Sequence, residues 1–324
     1  MSRYSQGTLT VSSSPHIVDN IDTARIMLDV IIALIPAFIM SGVIFGPRAI
    51  LLTIVCVSSC IVFEYAFEWL TNKENTVADL SAVVTGILLS FNLPANLPYW
   101  MAVVGCFVAI VIVKQLFGGI GQNFANPAIT ARIVLLISFA TPMTTWPLPK
   151  QILEAADAVT GATPLAILNG GGDISALPSN INMFLGFIGG SLGETSTIAL
   201  LLGGIYLIGR KIIEPTIPVV FIGTVFVIAL LAGEDAIFHV CAGGVVLGAF
   251  FMATDYSTSP LTRNGKIIFA IGCGLLTMII RLFGALPEGV SFAILLMNIL
   301  TPHIDGLSRR KIYGSKGRKG GRKI

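Results

Sequence analysis

Residues 26–46 read Ile-Met-Leu-Asp-Val-Ile-Ile-Ala-Leu-Ile-Pro-Ala-Phe-Ile-Met-Ser-Gly-Val-Ile-Phe-Gly, an apolar run whose one charged residue is Asp29. A helix that crosses a bilayer needs about 20 mainly apolar residues, and this stretch meets that length. Nine more segments of the same kind follow, at 48–70, 77–91, 99–117, 126–141, 197–213, 216–232, 236–252, 265–284 and 289–304. The 324 residues are 54% hydrophobic and only 11% charged, with a mean hydropathy of +0.87. Soluble domains carry about 25% charged residues. The sequence therefore predicts an all-α polytopic membrane protein with ten transmembrane helices. Segments 77–91 and 126–141 are short for a full crossing and are expected to end in irregular backbone buried in protein.

Charge placement orients the spans. With the N-terminus inside, the inner connections hold Lys73, Lys114, Arg210, Lys211, Arg263 and Lys266, whereas the outer side holds Arg48, Lys150 and Arg281. Both termini are then cytoplasmic, and the long loop 142–196 lies outside. Eight of the 20 basic residues follow position 308, and this tail reads as a cytoplasmic anchor near anionic lipid, not as a nucleic-acid surface. Five regions result: a cytoplasmic segment 1–25, a five-helix repeat 26–141, the extracytoplasmic loop 142–196, a second five-helix repeat 197–304, and the basic tail 305–324. Within the loop, 151–158 can form a short helix, 182–190 a half-helix dipping into the membrane, and Gly170–Gly172 a flexible connection.

Two polar stretches interrupt the apolar pattern at places read as equivalent, each ahead of the closing helix of its half. One is Gly-Gly-Ile-Gly-Gln-Asn-Phe-Ala-Asn-Pro-Ala-Ile-Thr-Ala-Arg at 118–132; the other is Ala-Thr-Asp-Tyr-Ser-Thr-Ser-Pro-Leu-Thr-Arg at 253–263. Each carries a polar residue, then Pro, then Thr and Arg. Five helices per half make the repeats inverted, and inverted repeats with Gly/Pro-interrupted segments place a binding site at their interface. Asn123, Asn126 and Asp255 are the candidate ligands there. Amide side chains match the alternating donors and acceptors on the edge of a planar polar ring, and an acid at membrane depth is a functional candidate by default.

Residues 157–163, Asp-Ala-Val-Thr-Gly-Ala-Thr, match the D-x-x-[ST]-G-A-T sequence at which an exported flavin transferase attaches FMN to a threonine hydroxyl. The attachment point is Thr163, framed by Asp157, Thr160, Gly161 and Ala162. Gly161 and Ala162 leave room for a phosphate, and Pro164 stiffens the following turn. The loop falls outside by charge alone, the side such a transferase reaches. Among the other acids, Asp29 is the ion-pathway candidate, with Glu64 a second acid inside its helix. Glu68, Asp79 and Glu214 read as solvated ends. His16, His239 and His303 lack metal-ligand spacing and read as hydrogen-bonded structural residues. Cys56, Cys60, Cys106, Cys241 and Cys273 form no CxxC pair and read as small packing residues.

In order and spacing the motifs resemble one family. They are Ser14-Pro15-His16, Thr85-Gly86-Ile87-Leu88-Leu89, Leu93-Pro94, Gly118-Gly119-Ile120-Gly121-Gln122-Asn123, Asn126-Pro127-Ala128, Thr160-Gly161-Ala162-Thr163, Ala253-Thr254-Asp255-Tyr256 and Ser259-Pro260. The family holds the D-type component of the Rnf ferredoxin–NAD oxidoreductase and, more distantly, the B-type component of the sodium-pumping NADH–quinone oxidoreductase. The short segment before the first span favours the Rnf side. The family often has Ser where Thr160 stands, and Thr keeps the motif.

The resemblance implies a membrane electron carrier in a redox-driven sodium or proton translocase of the bacterial inner membrane. It implies FMN covalently on Thr163 and a second, non-covalent flavin, riboflavin, toward the cytoplasm. Partners would be the A-, B-, C-, E- and G-type Rnf subunits, a flavin transferase for maturation, and ferredoxin and NAD held by partner subunits. No residue of this chain would be a catalytic base, and none a metal ligand. The competing readings are the quinone-reducing subunit, a small-solute permease with no redox role, and a structural anchor for soluble redox subunits.

Overall fold

The computed structural model describes residues 22–73, 75–147, 160–161, 164–169, 179–194, 196–284 and 289–308. Helices α1 (Thr23–Phe45) and α2 (Pro47–Thr71) form a hairpin. Its turn is Gly46, at φ +74°, a backbone state glycine takes without a Cβ penalty, and Pro47 pre-sets the first turn of α2. A 3₁₀ turn (Val77–Asp79) and Leu80 at φ +64° lead into α3 (Ser81–Phe91). After irregular backbone at 92–98, α4 (Tyr99–Phe107) runs on as a π-helix over Val108–Gln115. Helix α5 (Pro127–Ser138) follows, then α6 (Ala140–Thr144) and strand β1 (Trp146–Pro147). Strand β2 (Thr160–Gly161) pairs antiparallel with β1, Trp146 opposite Gly161 and Pro147 opposite Thr160.

Helices α7 (Pro164–Asn169) and α8 (Asn180–Leu185) are short. Then come α9 (Thr197–Gly209), α10 (Thr216–Leu231), α11 (Ala236–Cys241) and α12 (Val245–Leu247), which continues as a π-helix over Gly248–Met252. Helices α13 (Arg263–Phe283) and α14 (Val290–Ser308) complete the described chain.

Among the described residues, α1, α2, α13 and α14 are long and apolar enough to cross a membrane, and α3, α4 with its π-helical continuation, α5, α9 and α10 are shorter apolar helices. Ile39, Val43, Trp69, Leu202, Leu231 and Phe283 are exposed, while Glu64, Lys114, Arg132 and Arg281 are buried. Apolar outside with charge inside is the distribution a bilayer selects. The chain is a mostly helical, polytopic membrane protein.

Three expectations need correction. The span read as continuous over 236–252 is broken at Ala242–Gly244, where Gly243 and Gly244 take φ +61° and +71°. The half-helix expected at 182–190 is α8, and it stops at Gly186, φ +105°. The two polar stretches also fail to correspond by simple helix count, because α14 still follows the helix that the second one opens. What they share is local. Each follows a π-helical turn and leads into a helix capped by a side chain. Asn126 Oδ1 accepts from Ala128 N and Ile129 N at 3.0 and 3.3 Å, and Thr262 Oγ1 from Gly265 N at 3.0 Å.

Glycines let the helices close up. A Cβ on Gly86 in α3 would stand 2.7 Å from the Cα of Val57 in α2, and one on Gly203 in α9 would strike the carbonyl oxygen of Ala33 in α1. Small residues at such crossings are how membrane helices approach closely. Gly203→Ala should therefore lower the melting temperature in detergent, by overpacking worth about 1–3 kcal/mol. Gly209→Ala is the control, since nothing lies within 4 Å of its Cβ. Equal melting of the two variants would contradict the packing.

Candidate functional site

A cleft of about 830 Å³, open solvent included, lies where α1, α3, α5, α9 and the two π-helical turns meet. Asn123, Asn126 and Asp255 all line it, so the structure brings together three residues that stand 132 positions apart at their extremes. Phe250, Phe251 and Tyr256 supply aromatic wall. The three polar residues are not equally free. Asn126 spends its Oδ1 on the α5 cap and donates Nδ2 to Met252 O at 3.3 Å. Asp255 accepts from Ser257 Oγ at 3.1 Å and from Thr258 Oγ1 at 3.2 Å. Burial pushes its carboxyl above the ordinary range, and the bonds from Ser257 and Thr258 oppose that. Asn123 Oδ1 is buried and has no hydrogen-bond partner among the described residues. An unpaired buried acceptor on a cleft wall fits a ligand that brings a donor.

The cleft reaches a charged cluster that sequence reasoning underrated. Lys114, in the π-helical turn, lines the cleft and donates to both oxygens of Glu64 at 2.7 and 2.8 Å and to Ser81 Oγ at 2.6 Å. Gln115 Nε2 donates to Glu64 and Glu68 at 3.2 Å each, and Thr76 N to Glu68 Oε2 at 3.1 Å. Glu64 is 0% and Glu68 3% exposed. The expectation of a solvated Glu68 is thus overturned: the chain after α2 folds Thr76 over its carboxylate. Asp79 is half-buried and accepts from Ser81 N at 2.7 Å. Glu214 is exposed, as expected, and pairs with Lys266 at 2.8 Å. Asp29 is committed to Tyr206 Oη at 2.8 Å and Arg210 at 3.2 Å, where it ties α1 to α9.

Deeper in the molecule the irregular backbone after α3 meets that before α9. Leu192 N donates to Leu93 O at 3.1 Å and Gly193 N to Phe91 O at 2.9 Å, which satisfies peptide groups that hydrocarbon cannot. Arg132 of α5 reaches this crossing. Its Nη1 donates to Asn92 Oδ1, Glu194 Oε1 and Ser291 Oγ, each at 3.0 Å. Glu194 was missed by sequence reasoning. It sits just ahead of α9, where a carboxylate also serves as an ordinary helix-start residue, so position alone gave little signal.

Of the attachment sequence, Asp157, Ala162 and Thr163 lie outside the described residues, while Thr160 and Gly161 form β2. Leu165, two positions after Thr163, is buried with Met183, Ile188, Phe238, Cys241 and Ala242. This small cluster anchors α7 against α11. Beneath it Arg281 donates to the carbonyls of His239 and Ala242 at 2.6 and 2.7 Å and so closes the end of α11. His239 does not meet the expectation of a hydrogen-bonded residue: it is buried, and neither ring nitrogen has a hydrogen-bond partner among the described residues. Its Nε2 stands 3.9 Å from Glu234. At the start of α11, Asn180 donates to Asp235 at 3.0 Å and, with the cap bonds from Ile237 and Phe238, holds that carboxyl below its usual range. His303 is exposed. All five cysteines are buried free thiols, and no cluster of metal ligands occurs among the described residues.

Fold and cleft together define a helical membrane protein with a largely apolar cleft that carries a few polar groups. The chain belongs to the NQR2, RnfD, RnfE family, whose model matches residues 10–314. It is 52% identical over 308 residues to the D-type component of the Na⁺-translocating ferredoxin:NAD⁺ oxidoreductase complex of Acetobacterium woodii, covering 94% of this chain and 95% of the relative. It is 45% identical over 321 residues to the D-type component of the proton-translocating ferredoxin:NAD⁺ oxidoreductase complex of Clostridium ljungdahlii, covering 95% and 96%. The D-type component of an ion-translocating oxidoreductase complex from Stutzerimonas stutzeri is 41% identical over 332 residues, covering 91% and 93%.

Proposed function

We propose that this chain is the membrane electron-carrier subunit of an ion-translocating ferredoxin:NAD oxidoreductase in the bacterial inner membrane. The observation that carries this reading is end-to-end likeness to the D-type components of such complexes, in a chain that keeps Asp157, Thr160, Gly161, Ala162 and Thr163 in acceptor order. In this reading Thr163 holds FMN through a phosphoester on its hydroxyl, made by a flavin transferase on the outer side. Riboflavin occupies the cleft at Asn123 and Asp255. Ferredoxin and NAD are bound by partner subunits, which are of the A, B, C, E and G types. The spans form two inverted repeats with both termini cytoplasmic, a reading supported by the shared local order of π-helical turn, polar stretch and capped helix, though not by a five-and-five helix count. The Acetobacterium and Clostridium relatives carry names with different ions, so likeness of sequence does not choose between sodium and proton.

A bound flavin supplies one- and two-electron redox chemistry, while the protein positions it and tunes its potential. This chain's own contributions follow from the cleft. Asn123 Oδ1 offers a free acceptor to a ring N–H. Phe250, Phe251 and Tyr256 would give a planar ring aromatic wall to pack on. Asn126 and Thr262 hold the two polar stretches in place through their helix caps. Lys114, paired with Glu64, would place a charge-compensated, hydrogen-bonded cluster at the wall.

The two flavins separate by chemistry. Acid precipitation of the complex should leave FMN with the chain and release about one riboflavin per chain. Asn123→Leu should strip the released flavin and keep the bound one. Equal release from variant and wild type would remove Asn123 from the pocket, and no released flavin from wild type would remove the second flavin altogether.

A further inference from the structure

Asn298 of α14 is 2% exposed, and neither its Oδ1 nor its Nδ2 has a hydrogen-bond partner among the described residues. A buried amide with both ends unpaired is strongly disfavoured in an apolar surrounding. One water molecule answers both, accepting from Nδ2 and donating to Oδ1. A bare cation would answer only the oxygen.

The position of Asn298 gives that water a context. Ser291, Asn298, Thr301 and Asp305 are spaced by 7, 3 and 4 residues, so they share one face of α14. At the upper end Ser291 Oγ meets Arg132 Nη1 of α5. Asn298 lies two turns below on the same side, about 10 Å along the axis. At the lower end Thr301 Oγ1 donates to Thr258 O at 2.9 Å, and Asp305 Oδ1 accepts from Leu261 N at 3.1 Å. The flank toward α13 is taken by Met297, which packs on Gly272. The polar face therefore looks toward α5 and the 253–262 turn. Above Asn298 the same face is closed by Ile294, which is 0% exposed and packs toward Gly248, so the open direction is toward Thr301 and the turn.

We propose that the seam between α5 and α14 holds bound water reaching from the 253–262 turn, past Thr301, to the buried amide of Asn298. The ligand is water, and it gives a buried amide in the middle of α14 an aqueous route to one end of the molecule. It is independent of any flavin, so loss of the flavin reading leaves it standing.

The test is thiol accessibility in native membranes holding the whole complex. Asn298→Cys, Thr301→Cys and Leu296→Cys are treated with methanethiosulfonate ethylammonium, a small charged reagent, and the unaltered protein with its five buried thiols sets the background. Only a thiolate reacts, and an apolar surrounding suppresses its formation. Leu296 faces outward and is the lipid control. Labelling at 298 and 301 should run at least about tenfold faster than at 296. Labelling at 298 no faster than at 296 would mean a dry seam and end the proposal. If Asn298→Cys fails to accumulate, Thr301→Cys decides by the same comparison.

Discussion

Lys114→Met is expected to destabilise the folded chain by about 3–5 kcal/mol, the effect of stranding one half of a buried ion pair. Glu64 has no exposed surface, and Lys114 supplies two of its hydrogen bonds. Without the ammonium, Glu64 and Glu68 share only Gln115 and Thr76 as donors among the described residues. One of the two carboxylates must then take up a proton or draw in water. The π-helical turn that presents Lys114 to the cleft loses its inward anchor at the same time. Denaturation in detergent should show the loss. The pair Lys114→Met with Glu64→Leu should recover most of it, because an apolar pair of like volume carries no desolvation penalty. A single variant as stable as wild type would show that Lys114 is not paired in this way. A double variant no better than the single would show that Lys114 acts through something other than Glu64.

Arg132→Leu is expected to be as damaging, and to act at a different place. It leaves Glu194 buried without its cation and takes the shared donor from Asn92 and Ser291. Those residues come from the end of α3, the approach to α9 and the start of α14, so the guanidinium joins three elements distant in sequence. Loss of about 3–5 kcal/mol is expected again, measured as melting temperature and as yield of the assembled complex. Arg132→Lys should recover only part, since a lysine offers a point charge where the guanidinium spreads several donors. Glu194→Gln added to Arg132→Leu should recover more, because the charge that needed a partner is gone. Unchanged melting in Arg132→Leu would contradict this crossing.

The membrane class was legible from residues 26–46 alone, because uninterrupted apolar length has few other meanings. That the polar stretches at 118–132 and 253–263 come together was also legible, and Asn123, Asn126 and Asp255 do line one cleft. Less visible was what each does there. An amide that caps a helix and an amide left unpaired on a cleft wall are the same letter, and only the geometry separates Asn126 from Asn123. The break at Gly243–Gly244 was signalled by the paired glycines, but the apolar residues on either side hid it. Lys114 counted as an inner-side charge although it stands alone inside an apolar segment, which in a membrane chain signals burial with a partner. Glu68 looked like a solvated helix end because the following turn, with Thr76 folded back over α2, is a tertiary feature. Glu194 carried the weakest signal, and its role comes wholly from the meeting of two irregular segments.

The electron-carrier role turns on a flavin held covalently by this chain. In-gel fluorescence and intact mass of the denatured chain decide that point, for wild type and Thr163→Ala, each co-expressed with a flavin transferase shown active on another acceptor. The expected result is a fluorescent wild-type band heavier by one FMN, a dark Thr163→Ala band at the bare mass, and equal yields of both. A dark wild-type band at the bare mass would contradict the covalent flavin and leave the cleft as a solute site in a chain with no redox centre of its own at Thr163.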